Sequence, residues 1–237
     1  MPPSFLGPPG RLRWVAESAG IDDSLGAPCA VHLPADLAAH ADPRRPTLRR
    51  GRDPSRMRIR LGRQAPPGSY TVGIEFNDGQ MRQMAVEVQP HLRLRVLPGT
   101  LRLAGEAGAI VMARLVLDNC GNQDVQIEES LVSGLFDNGG IEATLAAMYR
   151  QSGDDLNRIV GVGFAHLRDA HGGLLKLHVR EGAGRLAPGQ RRALRVEARL
   201  SSTLKPGHGY HGTLAFGSHR IAVQVSVDGS TSQGVKP

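Results

Sequence analysis

The chain writes one phrase twice. PPGSYTVGIEFNDGQMRQMAVEV runs from Pro66 to Val88, and KPGHGYHGTLAFGSHRIAVQV runs from Lys205 to Val225. Tyr70 matches Tyr210, Phe76 matches Phe216, and Ala85-Val86-Glu87-Val88 matches Ala222-Val223-Gln224-Val225. The likeness extends upstream, where Arg58-Ile59-Arg60-Leu61 and Leu194-Arg195-Val196-Glu197-Ala198-Arg199-Leu200 each lead into a Pro-Gly turn. Each copy reads as strand, turn, strand, hairpin, strand, because apolar residues alternate over short runs bounded by Gly, Pro and Asp. In Tyr70–Phe76 the residues Tyr70, Val72, Ile74 and Phe76 share one face, and Thr71, Gly73 and Glu75 share the other, the pattern of a strand with one side buried. Asn77-Asp78-Gly79 then supplies the residues a tight reversal needs.

A repeat spaced by about 140 residues is too long for a solenoid unit and fits two sandwich domains in tandem. The first is expected over residues 10–90, with strands near Arg11–Glu17, Pro28–Leu33, Met57–Leu61, Tyr70–Phe76 and Gln83–Val88. The second is expected over 91–228, beginning with Leu92–Val96 and Thr100–Leu103. It continues through Ala109–Asp118, a Cys120-Gly121-Asn122 turn and Asp124–Glu128, and ends with Ala193–Leu200, Tyr210–Phe216 and Arg220–Val227. Residues 229–237 read as a flexible tail. The repeated tyrosines are expected to act as tyrosine corners, with the ring in the core and the hydroxyl at a domain end.

Fold class is therefore all-β, and 237 residues with 40% hydrophobic content suffice for two packed cores. No apolar run approaches the roughly 18 residues of a membrane span. The opening MPPSFLGPPGRLRW has prolines in place of a signal-peptide core, so a cytoplasmic chain is expected, or a periplasmic or extracellular one if a leader has been removed. Cys29 and Cys120 fit no paired spacing and are read as free thiols. The formal charge of +7 is concentrated: residues 42–63, DPRRPTLRRGRDPSRMRIRLGR, hold nine arginines against two aspartates, and the rest of the chain balances. Within it Arg56, Arg58 and Arg60 alternate with Met57, Ile59 and Leu61, which makes the three arginines candidate partner-binding residues.

The string LRVLPGTLRLAGEAGAIVMARLVLDNCGNQDVQI, followed by LAPGQRRALRVEARLSSTLKPGHGYHGTLAFGSHRIAVQV, resembles bacterial immunoglobulin-like sandwiches of the major-sperm-protein, hydin-like and pilus-chaperone type. The resemblance covers most of 92–227 and, more weakly, 55–90. It implies the sandwich fold and, as one functional alternative, a pilus-type assembly chaperone.

Residues 133–180 exceed a strand-to-strand connection and read as an insert. Ile141, Leu145, Met148 and Tyr149 in IEATLAAMYRQ fall at helical spacing, so Ile141–Gln151 is expected to be a short helix, and Tyr149 is a candidate contact residue. RIVGVGFAHL and LLKLHVRE then read as an extra hairpin joined by RDAHGG. Insertions on a rigid sandwich are where binding tends to reside.

No chemistry-bearing motif appears. GxSxG, HExxH and phosphate-loop sequences are absent, and Gly161-Val162-Gly163 lacks the third glycine of a dinucleotide fingerprint. His208 and His211 have no carboxylate nearby in sequence, so no metal or other cofactor is expected. The expectation is a non-enzymatic assembly component that binds other protein subunits. The alternative is nucleic-acid binding through residues 42–63, which contain no aromatic residue for stacking.

Overall fold

The computed structural model describes residues 4–9, 12–15, 28–40, 49–50, 57–151 and 155–229. The chain divides into two compact units. Unit 1 comprises Met1–Leu94, Asp118–Val125 and Leu186–Gln190; unit 2 comprises Arg95–Leu117, Gln126–Arg185 and Arg191–Pro237.

Unit 1 is built from β1 (Ser4–Gly7), β2 (Leu12–Val15), β3 (Pro28–His32), a one-turn helix α1 (Ala35–Ala38), β4 (Arg49–Arg50), β5 (Met57–Ile59), β6 (Gly68–Phe76) and β7 (Met81–Val88). The strands lie in the order β3-β6-β7-β1-β2-β5-β4. β1 joins two halves: it runs parallel to β7, with Phe5 opposite Val86, and antiparallel to β2, with Phe5 opposite Trp14. Strands three, six and seven on one side of the first strand, and two, five and four on the other, is the order of an immunoglobulin-like sandwich. The alternation read from the sequence is what fills the core: Val72, Ile74 and Phe76 of β6 and Met84, Val86 and Val88 of β7 are buried against Phe5, Leu12 and Ile59. β1 lies ahead of residue 10, where the first domain is expected to begin; its four residues are hemmed by prolines on both sides and too short to show a period.

Unit 2 repeats the plan at greater length. Its strands are β8 (Leu94–Leu97), β9 (Thr100–Gly105), β10 (Ile110–Asn119), β11 (Val125–Ile127), β12 (Ser130–Asp137), β13 (His171–Glu181), β14 (Gly184–Leu186), β15 (Arg191–Arg199), β16 (Gly209–Phe216) and β17 (His219–Val227), with helices α2 (Gly140–Arg150) and α3 (Leu156–Ala170) between β12 and β13. The order is β8-β10-β15-β13-β12-β16-β17-β9, and β11 and β14 form a separate two-stranded ribbon. As in unit 1, the last strand of the hairpin pairs in parallel with an early strand, Val225 of β17 standing opposite Leu103 of β9.

The extra hairpin expected in the insert is not formed. Arg158–Leu167 belongs to helix α3, and β13 is an interior strand held by β12 (Leu131 opposite Leu177) and β15 (Leu177 opposite Ala198). The true insertion is a pair of helices, Gly140–Ala170, between two ordinary sandwich strands. β-branched Ile159, Val160 and Val162 with Gly161 and Gly163 favour an extended reading locally. Tertiary contact overrides that preference: a Cβ on Gly163 would lie against the Met148 thioether of α2, and one on Gly140 would lie 2.6 Å from Cβ of Ala170. The helices approach closely because those two positions are bare. Asp155 caps α3, its Oδ1 accepting from the Arg158 amide at 3.3 Å.

The Cys120-Gly121-Asn122 turn is tied down within unit 1. Buried Asn122 donates to the carbonyls of Ala65 (3.0 Å) and Gln89 (3.1 Å) and accepts from the His91 amide at 2.6 Å. Buried Asn119 donates to Gln123 O (2.7 Å) and Leu186 O (3.0 Å) and accepts from Gly121 N at 3.1 Å. Any side chain at position 121 would collide with the His91 carbonyl, which makes glycine obligatory there.

Candidate interaction surfaces

The helical pair carries two exposed apolar stripes. On α2, Ile141, Leu145 and Tyr149 recur every four residues and are 47%, 60% and 93% exposed. On α3, Leu156, Val160, Phe164 and Leu167 form a second stripe, exposed by 69%, 38%, 69% and 36%. What α2 buries is Thr144, whose hydroxyl bonds back to Gly140 O at 2.7 Å, together with the Met148 side of the helix. The apolar face read from the sequence is thus mostly the outward face; Tyr149, the sequence candidate, lies at its most exposed point. The α3 stripe begins with the same 4-4 spacing and adds a step of three, legible in the sequence but masked by the strand-like residues between.

The expected arginine set divides. Arg56 lies outside the described residues. Arg58 is in β5, where it stands opposite Arg13 of β2 and Arg49 of β4. Arg60 is exposed between buried Ile59 and Leu61. The 229–237 tail lies outside the described residues beyond Gly229.

A polar cluster joins the base of α2 to the start of β16. His208 Nδ1 meets Asp137 Oδ2 at 2.8 Å, and His211 Nδ1 meets Asn138 Oδ1 at 3.2 Å. The His171 ring packs edge-on to Phe136 with centroids 5.3 Å apart. Sequence reading found no carboxylate for these histidines because Asp137 is 71 residues from His208 and only the β12–β16 pairing, Asp137 opposite Tyr210, brings them together. Among the described residues no group of three metal-ligating side chains converges. The bonds position the turn before β16 against the end of β12.

Both tyrosines close their strands as corners. Tyr70 donates its hydroxyl to Pro66 O at 3.0 Å, and Tyr210, 3% exposed, accepts from the Lys205 amide at 3.0 Å. A Cβ on Gly172 would stand 2.7 Å from the Tyr210 ring, so β13 leaves that space open for it.

Among the described residues no helix is long and apolar enough to cross a membrane. No family model matches the chain, and no curated protein matches it in sequence. Among solved structures it is similar to domains 4 and 5 of the S-layer protein SbsC, with 12% identity and a TM-score of 0.29 over 73% of this chain and 62% of that one. It is similar also to PapD-like domain 7 of human CEP192, with 11% identity and a TM-score of 0.28 over 60% of this chain and 94% of that one. A third likeness is to murine CEACAM1b, with 13% identity and a TM-score of 0.27 over 96% and 98% of the two chains. The aligned part of SbsC is thus less than two thirds of that chain's length.

Proposed function

We propose that this chain is a non-enzymatic assembly component that binds another protein subunit through the outer face of the α2–α3 helical pair. The observation that carries the reading is the pair of stripes Ile141, Leu145, Tyr149 and Leu156, Phe164, each residue at least 47% exposed on the two inserted helices. Scattered exposed apolar residues are ordinary, but apolar residues recurring at helical spacing along the exposed faces of two packed helices suit a surface that is covered in use. A helix pair presenting residues at i, i+4 and i+8 offers ridges to a groove or to further helices. Tyr149 supplies the kind of large amphipathic side chain that anchors protein interfaces.

The test is a charged double substitution on the stripe, Leu145→Asp with Phe164→Asp. A complex recovered from native lysate with the parent chain should be lost with the variant, while far-ultraviolet circular dichroism and melting temperature stay as in the parent. A complex that survives the double change places the contact elsewhere. A variant that unfolds shows instead that the stripe is needed for folding.

A further inference from the structure

The packing of α2 against α3 fixes how their exposed residues are arranged. Gly140 lies against Ala170 and the Met148 side chain against Gly163, so the helices run in opposite directions. The same contacts set the levels along the pair: Glu142 is level with Arg168, Ala146 with Phe164, and Tyr149 with Gly161. On α2 each exposed apolar residue follows an inward one by a single position, Ile141 after Gly140, Leu145 after Thr144 and Tyr149 after Met148. α3 keeps that order, with Phe164 after Gly163. One residue turns a helix by about 100° in a fixed sense. Two antiparallel helices exchange by a half-turn about a line normal to their common plane, so equal steps bring both stripes to one side of the pair.

We infer that the subunit covering this side is a second copy of this chain, the two helical pairs closing a four-helix bundle about a twofold axis that runs along the helices; the inference rests on the stripes being a binding surface. Seven apolar side chains exposed to this degree amount to roughly 700 Å², close to the roughly 800 Å² that each partner contributes to a stable interface. Such an axis exchanges the two flanks of the face without changing level, so α2 of each copy lies on α3 of the other. Tyr149, the most exposed ring, then meets Gly161, where a Cβ would have nothing within 4 Å, and Phe164 meets the small Ala146. By helical position, Glu142 and Arg168 are the charged residues of the two helices nearest the stripes, both exposed, on opposite flanks at one level. The twofold sets each Glu142 beside Arg168 of the other copy, twice over. A face whose rings and hollows, and whose acid and base, match across a half-turn is complementary to itself.

The experiment is sedimentation equilibrium of the purified full chain alone, at about 0.1 M salt, where charges within about 10 Å still interact. By about 10 µM the parent should weigh twice the 25.3 kDa of one chain. Glu142→Arg and Arg168→Glu each bring like charges together at both ends of the twofold, so each alone should raise the dimer Kd by about tenfold or more. An equal mixture of the two variants should recover the parent affinity, because every contact then joins an arginine to a glutamate. That recovery also shows that both variants are folded. Leu145→Asp with Phe164→Asp should leave a monomer. A parent that stays monomeric overturns the inference; if its complex from native lysate is still lost on the aspartate changes, the stripes bind a different chain and their binding role stands. A dimer that survives the aspartate changes, single charge changes without effect, or a mixture that does not recover each overturns the twofold contact.

Discussion

The hairpins β6–β7 and β16–β17 are written in nearly the same words yet hydrogen-bond in different registers. In unit 1 Tyr70 stands opposite Val86; in unit 2 Tyr210 stands opposite Val225, while Val223, the match of Val86, stands opposite Gly212. The cause is the turn. Ala85 follows Phe76 by nine positions and Ala222 follows Phe216 by six, and the shorter connection closes on Gly217-Ser218, where Phe216 pairs with His219. The ladder has slipped by two residues. A slip of one would carry every apolar side chain to the wrong face, whereas a slip of two returns each to the face it left. Ile221, Val223 and Val225 accordingly stay buried, as Met84, Val86 and Val88 are. What the repeat preserves is therefore the inward alternation and the tyrosine, and what it leaves free is turn length, register and the outward face. The α2–α3 insertion of unit 2, a lengthened connection between two sandwich strands, lies in that free set.

If the tyrosines are the preserved element, removing them should have the largest effect, and the effect should be unequal. Tyr210 is 3% exposed and fills the space opposite Gly172, whereas Tyr70 is half-buried. Tyr210→Ala should destabilise its unit by about 3–5 kcal/mol, and Tyr70→Ala by about 2–3 kcal/mol, as for other truncated aromatics of differing burial. Differential scanning calorimetry reads both. Equal and negligible losses would mean that the two corners are not equivalent supports.

Tyr→Phe changes sharpen the same contrast, because the two hydroxyls play opposite parts. Tyr210→Phe strands the Lys205 amide, a lone donor, and should cost about 1–2 kcal/mol; Tyr70→Phe strands the Pro66 carbonyl, which has a second lone pair for water, and should cost about 1 kcal/mol or less. Denaturant titration of the two variants against the parent checks the order, and a reversed order would count against the geometric account.

The helices supply the next contrast. Phe136 of β12 stands opposite His171 of β13, so replacing residues 138–170 by a single glycine leaves a two-residue Asp-Gly connection of the kind that closes hairpins. If the helical pair is an appendage to a complete sandwich, the shortened chain should fold with its strand signal intact and its helix signal almost gone, at a stability within about 1 kcal/mol of the parent. Circular dichroism with thermal melting decides this. Failure to fold would make α2 and α3 part of the framework that unit 1 lacks.

The strands were legible because alternation is a local signal: the core positions of β6, β7, β15, β16 and β17 are those the period assigns. α3 was not, since Ile159, Val160 and Val162 prefer extended backbone in isolation and the helix depends on Met148 finding no side chain at Gly163, a contact between residues on different elements. The short β1 and the Asp137–His208 bond share that character. Each is made by residues far apart in the chain, and each becomes visible only when strand pairing supplies the register.

The smallest expected effect tests the outward face of unit 2. Hydrogen bonds from the Arg180 guanidinium hold the Glu197 carboxyl below the usual carboxylate range, aided by their opposite charges and opposed by desolvation. A carboxyl depressed in the folded state contributes stability that is present above its unfolded pKa and is lost as pH falls through the lowered folded value. Glu197→Gln removes that contribution, so the variant should melt slightly below the parent at neutral pH, by the small margin usual for exposed ion pairs, and the two curves should converge as pH falls through and below the carboxylate range. Raising salt at neutral pH should close the gap in the same direction. A gap that persists in acid would mean that Glu197 acts through its shape, and the Arg180–Glu197 pair would then lose its electrostatic basis.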